Sequence, residues 1–176
     1  MPQLAVAVLG PDRPGVIAAL TEVLLADGGN LEDASMTILR GQFAMTLVVD
    51  VQQSAAEVER DLAAVAARLD LLISVRETAP DHGIDETASP YLLRVHGADR
   101  PGLLHRATSL LAAHGANVTD LTTRLVGTAS APVYVMAIAA DVPVDADADA
   151  LMRAVAELAR ELDVEATLRP ADDDLL

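Results

Sequence analysis

The stretch VLGPDRPGVIAALTEVLLADGGNLED, residues 8–33, returns as VHGADRPGLLHRATSLLAAHGANVTD, residues 95–120. At a constant offset the two agree at 12 of 26 positions. The identities include Asp12-Arg13-Pro14-Gly15 with Asp99-Arg100-Pro101-Gly102, Gly28 with Gly115, and Asn30 with Asn117. Further along, the offset drifts through turn-like stretches, where a repeat tolerates insertions. Phe43, Met45, Leu47 and Asp50 then align with Tyr134, Met136, Ile138 and Asp141, and Val58, Leu62, Val65 and Leu69 with Leu151, Val155, Leu158 and Leu162. The chain is a tandem duplication. We divide it into a first unit at 1–78, a polar linker at 79–90, a second unit at 91–172 and an acidic tail at 173–176.

Each unit carries the same pattern of elements. A strand (Leu4 to Leu9; Tyr91 to His96) alternates apolar and polar residues. Gly and Asp-Arg-Pro-Gly break it, and a helix begins there, since Pro is tolerated in a first turn. Val16, Ile17, Leu20, Val23 and Leu24 have helical spacing, as do Leu103, Leu104, Ala107, Leu110 and Leu111. Gly28 and Gly115 end these helices, because glycine takes the left-handed C-terminal conformation without steric cost. Two strands follow (Leu31 to Leu39 and Phe43 to Val51; Val118 to Val126 and Val133 to Val142). A second helix opens at Ser54-x-x-Glu57, a capping box, and at Asp147 in the second copy. A last strand, Leu71 to Arg76 or Val164 to Arg169, closes the unit. The order βαββαβ, twice, predicts an α+β protein of two ferredoxin-like units, each a four-stranded antiparallel sheet with two helices on one face. Sheets of this kind have a bare face and free edges, so the units are expected to pair with one another, with a homodimer beyond that.

Composition restricts the chemistry. Of 176 residues, 27 are acidic and 12 basic, all of the latter Arg, for a net charge of −15. The charge divides almost evenly between the units, so neither is a basic module for gripping a phosphate backbone. Zero Cys excludes disulfides and thiolate sites. The start, MPQLAVAVLGPDRPG, lacks a basic n-region, and no apolar run approaches the ~18–20 residues that span a bilayer. A cytoplasmic protein is expected. Asp145, Asp147 and Asp149 imitate a calcium loop, but Ala150 and Ala156 stand where Gly and Glu are required. His82, His96, His105 and His114 show no metal spacing, and no nucleophile motif or phosphate loop occurs. Neither enzyme chemistry nor a cofactor is expected.

The repeated loop at the start of the first helix is the candidate site. A helix N-terminus presents unpaired N–H groups and partial positive charge, which attract a carboxylate. Asp12 or Asp99 beside it would take an ammonium group, so the pair of features suits an α-amino acid. The plainer alternative is that Asp12 and Asp99 cap the helix, that Gly15 and Gly102 permit tight packing, and that Asn30 and Asn117 form turns. Within one unit the helix separates Asp12 from Asn30 by roughly 20 Å at ~1.5 Å per residue, so they cannot share one small ligand. Pairing through the second strands would instead bring Asp12 to Asn117 and Asp99 to Asn30.

These residues carry a resemblance. Asp-Arg-Pro-Gly before an apolar helix, then Gly-x-Asn and the βαββαβ order, resembles the ACT domain, an amino-acid-sensing module. The tandem arrangement, with Gly10-Pro11-Asp12-Arg13-Pro14-Gly15-Val16-Ile17, Asn30-Leu31-Glu32-Asp33-Ala34 and Gly41-Gln42-Phe43, is similar to the glycine cleavage system transcriptional repressor family. The first stretch also resembles the N-terminal ACT unit of formyltetrahydrofolate deformylase, whose catalytic domain has no counterpart here. The resemblance implies a regulatory protein that binds a small amino acid, such as glycine or serine, where ACT domains meet. It would act through a DNA-binding regulator or a metabolic enzyme, without direct contact to nucleic acid or membrane. The binding positions it implies are Asp12, Arg13, Pro14, Gly15, Val16 and Asn30, with Asp99, Arg100, Pro101, Gly102, Leu103 and Asn117. Two alternatives remain: a structural interaction module without ligand, and an RNA-binding ferredoxin-like domain with Phe43 and Tyr134 as stacking residues. Packing beside Met45 and Met136 explains those two aromatics more simply.

Overall fold

The computed structural model describes residues 2–78, 87–128 and 131–171. They form β1 (Gln3–Pro11), α1 (Val16–Ala26), β2 (Asn30–Leu39), β3 (Gln42–Asp50), α2 (Ala55–Leu69), β4 (Leu72–Glu77), β5 (Ala88–Gly97), α3 (Leu103–Ala113), β6 (Asn117–Thr128), β7 (Ala131–Pro143), α4 (Ala148–Leu162) and β8 (Val164–Pro170). The chain divides into two compact units, Met1–His82 and Gly83–Leu176. One sheet has the order β2-β3-β1-β4 and the other β6-β7-β5-β8, with every pairing antiparallel. The expected βαββαβ architecture is present twice.

In the first unit the alternation of β1 and β3 places Leu4, Val6 and Val8 beside Phe43, Met45, Leu47 and Val49 on one face. Val16, Leu20 and Leu24 of α1, with Val58, Leu62 and Val65 of α2, close over that face. The second unit repeats the arrangement with Leu93, Val95, Met136 and Ile138 under Leu103, Ala107, Leu111, Leu151 and Val155. No charged or polar residue is buried among the described residues. Ile17 departs from the helical stripe read from the sequence. It is 40% exposed because Val16, one residue away and about 100° round the helix, already occupies the seam.

The helices leave one edge strand of each sheet, β2 or β6, bare. Met36 and Ile38 of β2 stand opposite Met45 and Phe43, on the helix side, yet they are 42% and 49% exposed. Every residue of β2 and β6 is exposed.

Local signals hold in detail. Gly28 and Gly115 have φ of 73° and 74°, one residue beyond the α1 and α3 C-caps. Arg40 and Gly41, both at positive φ, make the two-residue turn joining β2 to β3, whose twist suits a tight hairpin. At Ser54, Glu57 turns back to accept from the Ser54 N–H at 2.9 Å and its hydroxyl at 2.8 Å. The strand expected from Tyr91 begins earlier: Ala88, Ser89 and Pro90, counted with the linker in the sequence, pair with Pro143, Val142 and Asp141. Pro90 belongs to a strand whose ladder it enters near one end, where a missing donor matters least. Residues 79–86 of the linker and the tail at 173–176 lie outside the described residues.

Two carboxylates shift in opposite directions. Asp27 closes α1 with Oδ2 shielded and unpartnered, and desolvation, then nearby Asp61, push its pKa up against a smaller effect of Arg60. Ionised Asp27 therefore costs stability above its raised pKa, and protonation on acidification removes the cost. Glu57 is held below the usual range, first by the Ser54 backbone N–H and then by its hydroxyl. Its stabilising effect is present at neutral pH and is lost as pH falls through the lowered value. Asp27→Asn is expected to raise the melting temperature at pH 7, and Glu57→Gln to lower it. Both differences should shrink toward zero in acid, as followed by circular dichroism melts across pH. In the core, Leu111→Ala should cost about 2–5 kcal/mol in urea unfolding.

Candidate functional site

The loops at Asp12–Gly15 and Asp99–Gly102 join the central strand of each sheet to its first helix. Their shape rests on the glycines. Gly15 and Gly102 are the N-caps of α1 and α3, at φ 89° and 85°. A β-carbon there would meet no atom within 4 Å, so these glycines serve backbone conformation and leave open space, not tight packing. Gly10 and Gly97 are different. A β-carbon at Gly10 would lie 2.6 Å from Leu71 Cδ2 and 2.8 Å from the Asp70 carbonyl, and one at Gly97 would lie 2.8 Å from Val164 Cγ1. The strand end just before each loop must pass bare beneath the start of β4 or β8.

The capping alternative for Asp12 and Asp99 fails. No side chain caps α1 or α3, and no acidic residue lies in either first turn. Gly15 displaces Asp12 three residues from the helix start, beyond reach of the orphan N–H groups, and the Asp12 N–H is tied to the Gly41 carbonyl at 2.9 Å. The other two helices are closed by their own residues. α2 has the Ser54–Glu57 bonds, and Asp147 accepts from the Ala150 N–H of α4 at 2.8 Å. This is also the use of the Asp145–Asp149 cluster, where no metal-binding group occurs among the described residues.

In the second unit the loop opens onto a cleft of about 560 Å³, lined by Asp99, Arg100, Pro101, Gly102 and Leu103 together with Leu104, His105, Thr108 and Tyr134. Arg100 turns to the C-terminus of α4, where its Nη2 donates to Asp163 at 3.2 Å. The Arg106 guanidinium pairs with Glu161 in the same region. No local signal in the sequence marks His105, Thr108 and Tyr134 as lining residues. The Thr108 hydroxyl donates to the Leu104 carbonyl at 3.0 Å. Tyr134 replaces the buried Phe43 of the first copy and adds a phenol at the rim, a difference that comparison of the repeats already displays. Both aromatics lie on the helix side, in line with Met45 and Met136, which removes them as stacking residues on the open sheet face.

Asn30 and Asn117 do not join these loops within a unit. Asn30 starts β2 opposite Asp50, while Pro11, next to Asp12, pairs with Gln42 at the far end of β3. Eight strand steps separate those ends by roughly 27 Å. The Asn30 amide instead donates to Glu32 at 3.4 Å. Among the described residues, no helix is long and apolar enough to cross a membrane.

Comparison with known proteins agrees with this geometry. The family model of the ACT domain matches residues 3–76 and again 91–157. The glycine cleavage system transcriptional repressor of Escherichia coli is 30% identical over 94% of the chain and 88% of its own length. Among solved structures, an unknown protein from Galdieria sulphuraria superposes with a TM-score of 0.82 at 24% identity, over 97% of this chain and 99% of that one. A structure described as a candidate glycine cleavage system transcriptional repressor superposes with a TM-score of 0.72 at 21% identity, over 98% of each chain. Because Gly102 sits at φ 85°, Gly102→Ala should cost about 1–2 kcal/mol in denaturant unfolding. Gly15→Ala should cost the same, without creating a clash.

Proposed function

Because the chain belongs to the ACT-domain family and carries two ACT units in tandem, we propose that it is a regulatory protein without catalytic activity, which senses a small amino acid and acts through a protein partner. One observation carries the sensing half. Of the four helices among the described residues, the two that begin at the repeated loops have neither a side-chain cap nor a capping box, whereas α2 has the Ser54–Glu57 box and α4 the Asp147 cap. The Val16 and Leu103 N–H groups turn back to the Arg13 and Arg100 carbonyls at 3.4 and 3.2 Å, and a ligand carboxylate fits the rest of such a first turn, at the positive end of the helix dipole. Asp99 then takes the ammonium group. Tyr134, His105 and Thr108 bound the space left for the ligand side chain, which suits glycine, serine or another small amino acid. Asp12–Val16 would act likewise in the first unit. Asn30 and Asn117 belong to the site only if a helix N-terminus from outside their own unit reaches them.

The regulatory half is supported by similarity to the glycine cleavage system transcriptional repressor along most of both chains. A chain of net charge −15 is repelled by a phosphate backbone, so an effect on transcription would pass through a DNA-binding regulator or a metabolic enzyme.

A thermal-shift screen of the common amino acids tests this reading. A ligand at about 100 times its Kd adds about 2.7 kcal/mol, a shift of several degrees. Asp99→Ala and Tyr134→Phe should reduce that shift, and Asn117→Ala should reduce it only if Asn117 contributes to the site. No shift from any amino acid, with the protein folded, would leave a structural interaction module instead.

A further inference from the structure

The helices of each unit cover one face of its sheet and leave the other open, and on that open face the two copies have diverged. Strand register identifies the residues involved. In the second unit Arg124 of β6 stands opposite Val135, which stands opposite His96, which stands opposite Glu165. The next row is Thr122, Ala137, Arg94 and Thr167, and the next Asp120, Ala139, Leu92 and Arg169. Arg94, Arg124 and Arg169 therefore share one face. The corresponding residues of the first unit are Ala7, Thr37 and Arg76, and Leu9 and Leu72 stand where the second has His96 and Glu165.

Charge pairing sharpens the contrast. The chain has more than two carboxylates for every Arg; among the described residues Arg60, Arg100, Arg106 and Arg153 each pair with one, and Arg13, Arg40, Arg68 and Arg76 with none. Arg94, Arg124 and Arg169 are all exposed, and none forms an ion pair or hydrogen bond among the described residues. Glu165, the carboxylate beside them, is engaged by His96 Nε2 at 2.8 Å. Asp120 and Asp141 occupy one end of the face, as Asp33 and Asp50 do in the first unit. What the second copy adds is two unpaired guanidinium groups, at Arg94 and Arg124.

We propose that this open face of the second sheet is a docking surface for an acidic peptide segment of a protein partner. Strands lie ~4.8 Å apart and two residues rise ~6.7 Å, so Arg94 is about 8 Å from Arg169 and about 12 Å from Arg124 across the sheet. The three lie on a diagonal of about 20 Å that crosses Ala137, with Thr122, Val135, Leu92 and Thr167 to either side. The guanidinium groups are exposed, and their forked donors match carboxylates in two-bond geometry. Asp120 and Asp141 repel an acidic segment at their end and confine it to the diagonal. A nucleic acid fits less well: among the described residues no Phe, Tyr or Trp lies on this face, His96 is engaged by Glu165, and the chain is strongly acidic overall. The proposal stands apart from amino-acid sensing, since the surface lies on the side of the sheet away from the helices.

The test uses the full chain and a fluorescent peptide of about 14 residues, alternating Glu and Ala, which spans about 20 Å as a helix. Fluorescence anisotropy should show tighter binding than to the Gln–Ala counterpart, with affinity falling as salt rises. Replacing Arg94, Arg124 and Arg169 together by Glu should weaken binding about tenfold or more, Arg94→Lys, which keeps the charge and loses the two-bond geometry, should weaken it less, and Arg68→Glu, on α2, should leave it unchanged. All of these side chains are exposed, so the variants should fold, which a melting curve checks. Absence of binding at low salt, undiminished binding by the triple variant, or tighter binding of a single-stranded oligonucleotide would each overturn the proposal.

Discussion

Each unit depends on the burial of one face of a four-stranded sheet beneath two helices. Leu4, Val6 and Val8 in the first unit, and Leu93 and Val95 in the second, belong to central strands, so they meet helices above and neighbouring strands on both sides. That contact fixes which way every strand faces, because side chains alternate and a slip of one residue would turn the core outward. It also fixes where the helices begin. The central strand must turn back over its own sheet within a few residues, and Gly10 with Gly15, or Gly97 with Gly102, make that turn sterically feasible.

Chemistry follows from this geometry. A chain reversing through a left-handed glycine delivers a helix whose first N–H groups have no side chain near enough to cap them. In both copies that costs some helix stability, which α2 and α4 recover with their own caps. An open helix start of this kind, beside a carboxylate, places positive and negative charge next to each other at one loop. The apolar core contributes no titratable group to it, since no charged residue is buried among the described residues.

The duplication lets one copy serve as a control for the other. Where the copies agree, at Asp-Arg-Pro-Gly and Gly-x-Asn, the fold and its loop are held in common. Buried positions exchange one apolar residue for another, as Leu20 for Ala107 and Leu47 for Ile138, whereas changes of chemical character fall on surfaces. Phe43 becomes Tyr134 at the cleft, Ala18 becomes His105, and Ala7 and Thr37 become Arg94 and Arg124 on the open face. Burial keeps the core apolar in both copies, and exposed faces are free to specialise.

The fold class, the repeat and the element order were legible in the sequence, because period-2 and period-3.6 apolar patterns, a capping box and C-terminal glycines are local signals. So was the separation of Asp12 from Asn30, which needs only the length of a helix. Three matters were decided by tertiary structure alone. Gly15 rather than Asp12 caps α1, because backbone conformation and not residue preference sets which atom reaches the first turn. Tyr134 reaches the cleft at Asp99, because a strand distant in sequence converges there with the helix that carries His105. Arg94, Arg124 and Arg169 share a face, because strand register, which depends on long-range pairing, determines which residues of different strands stand side by side.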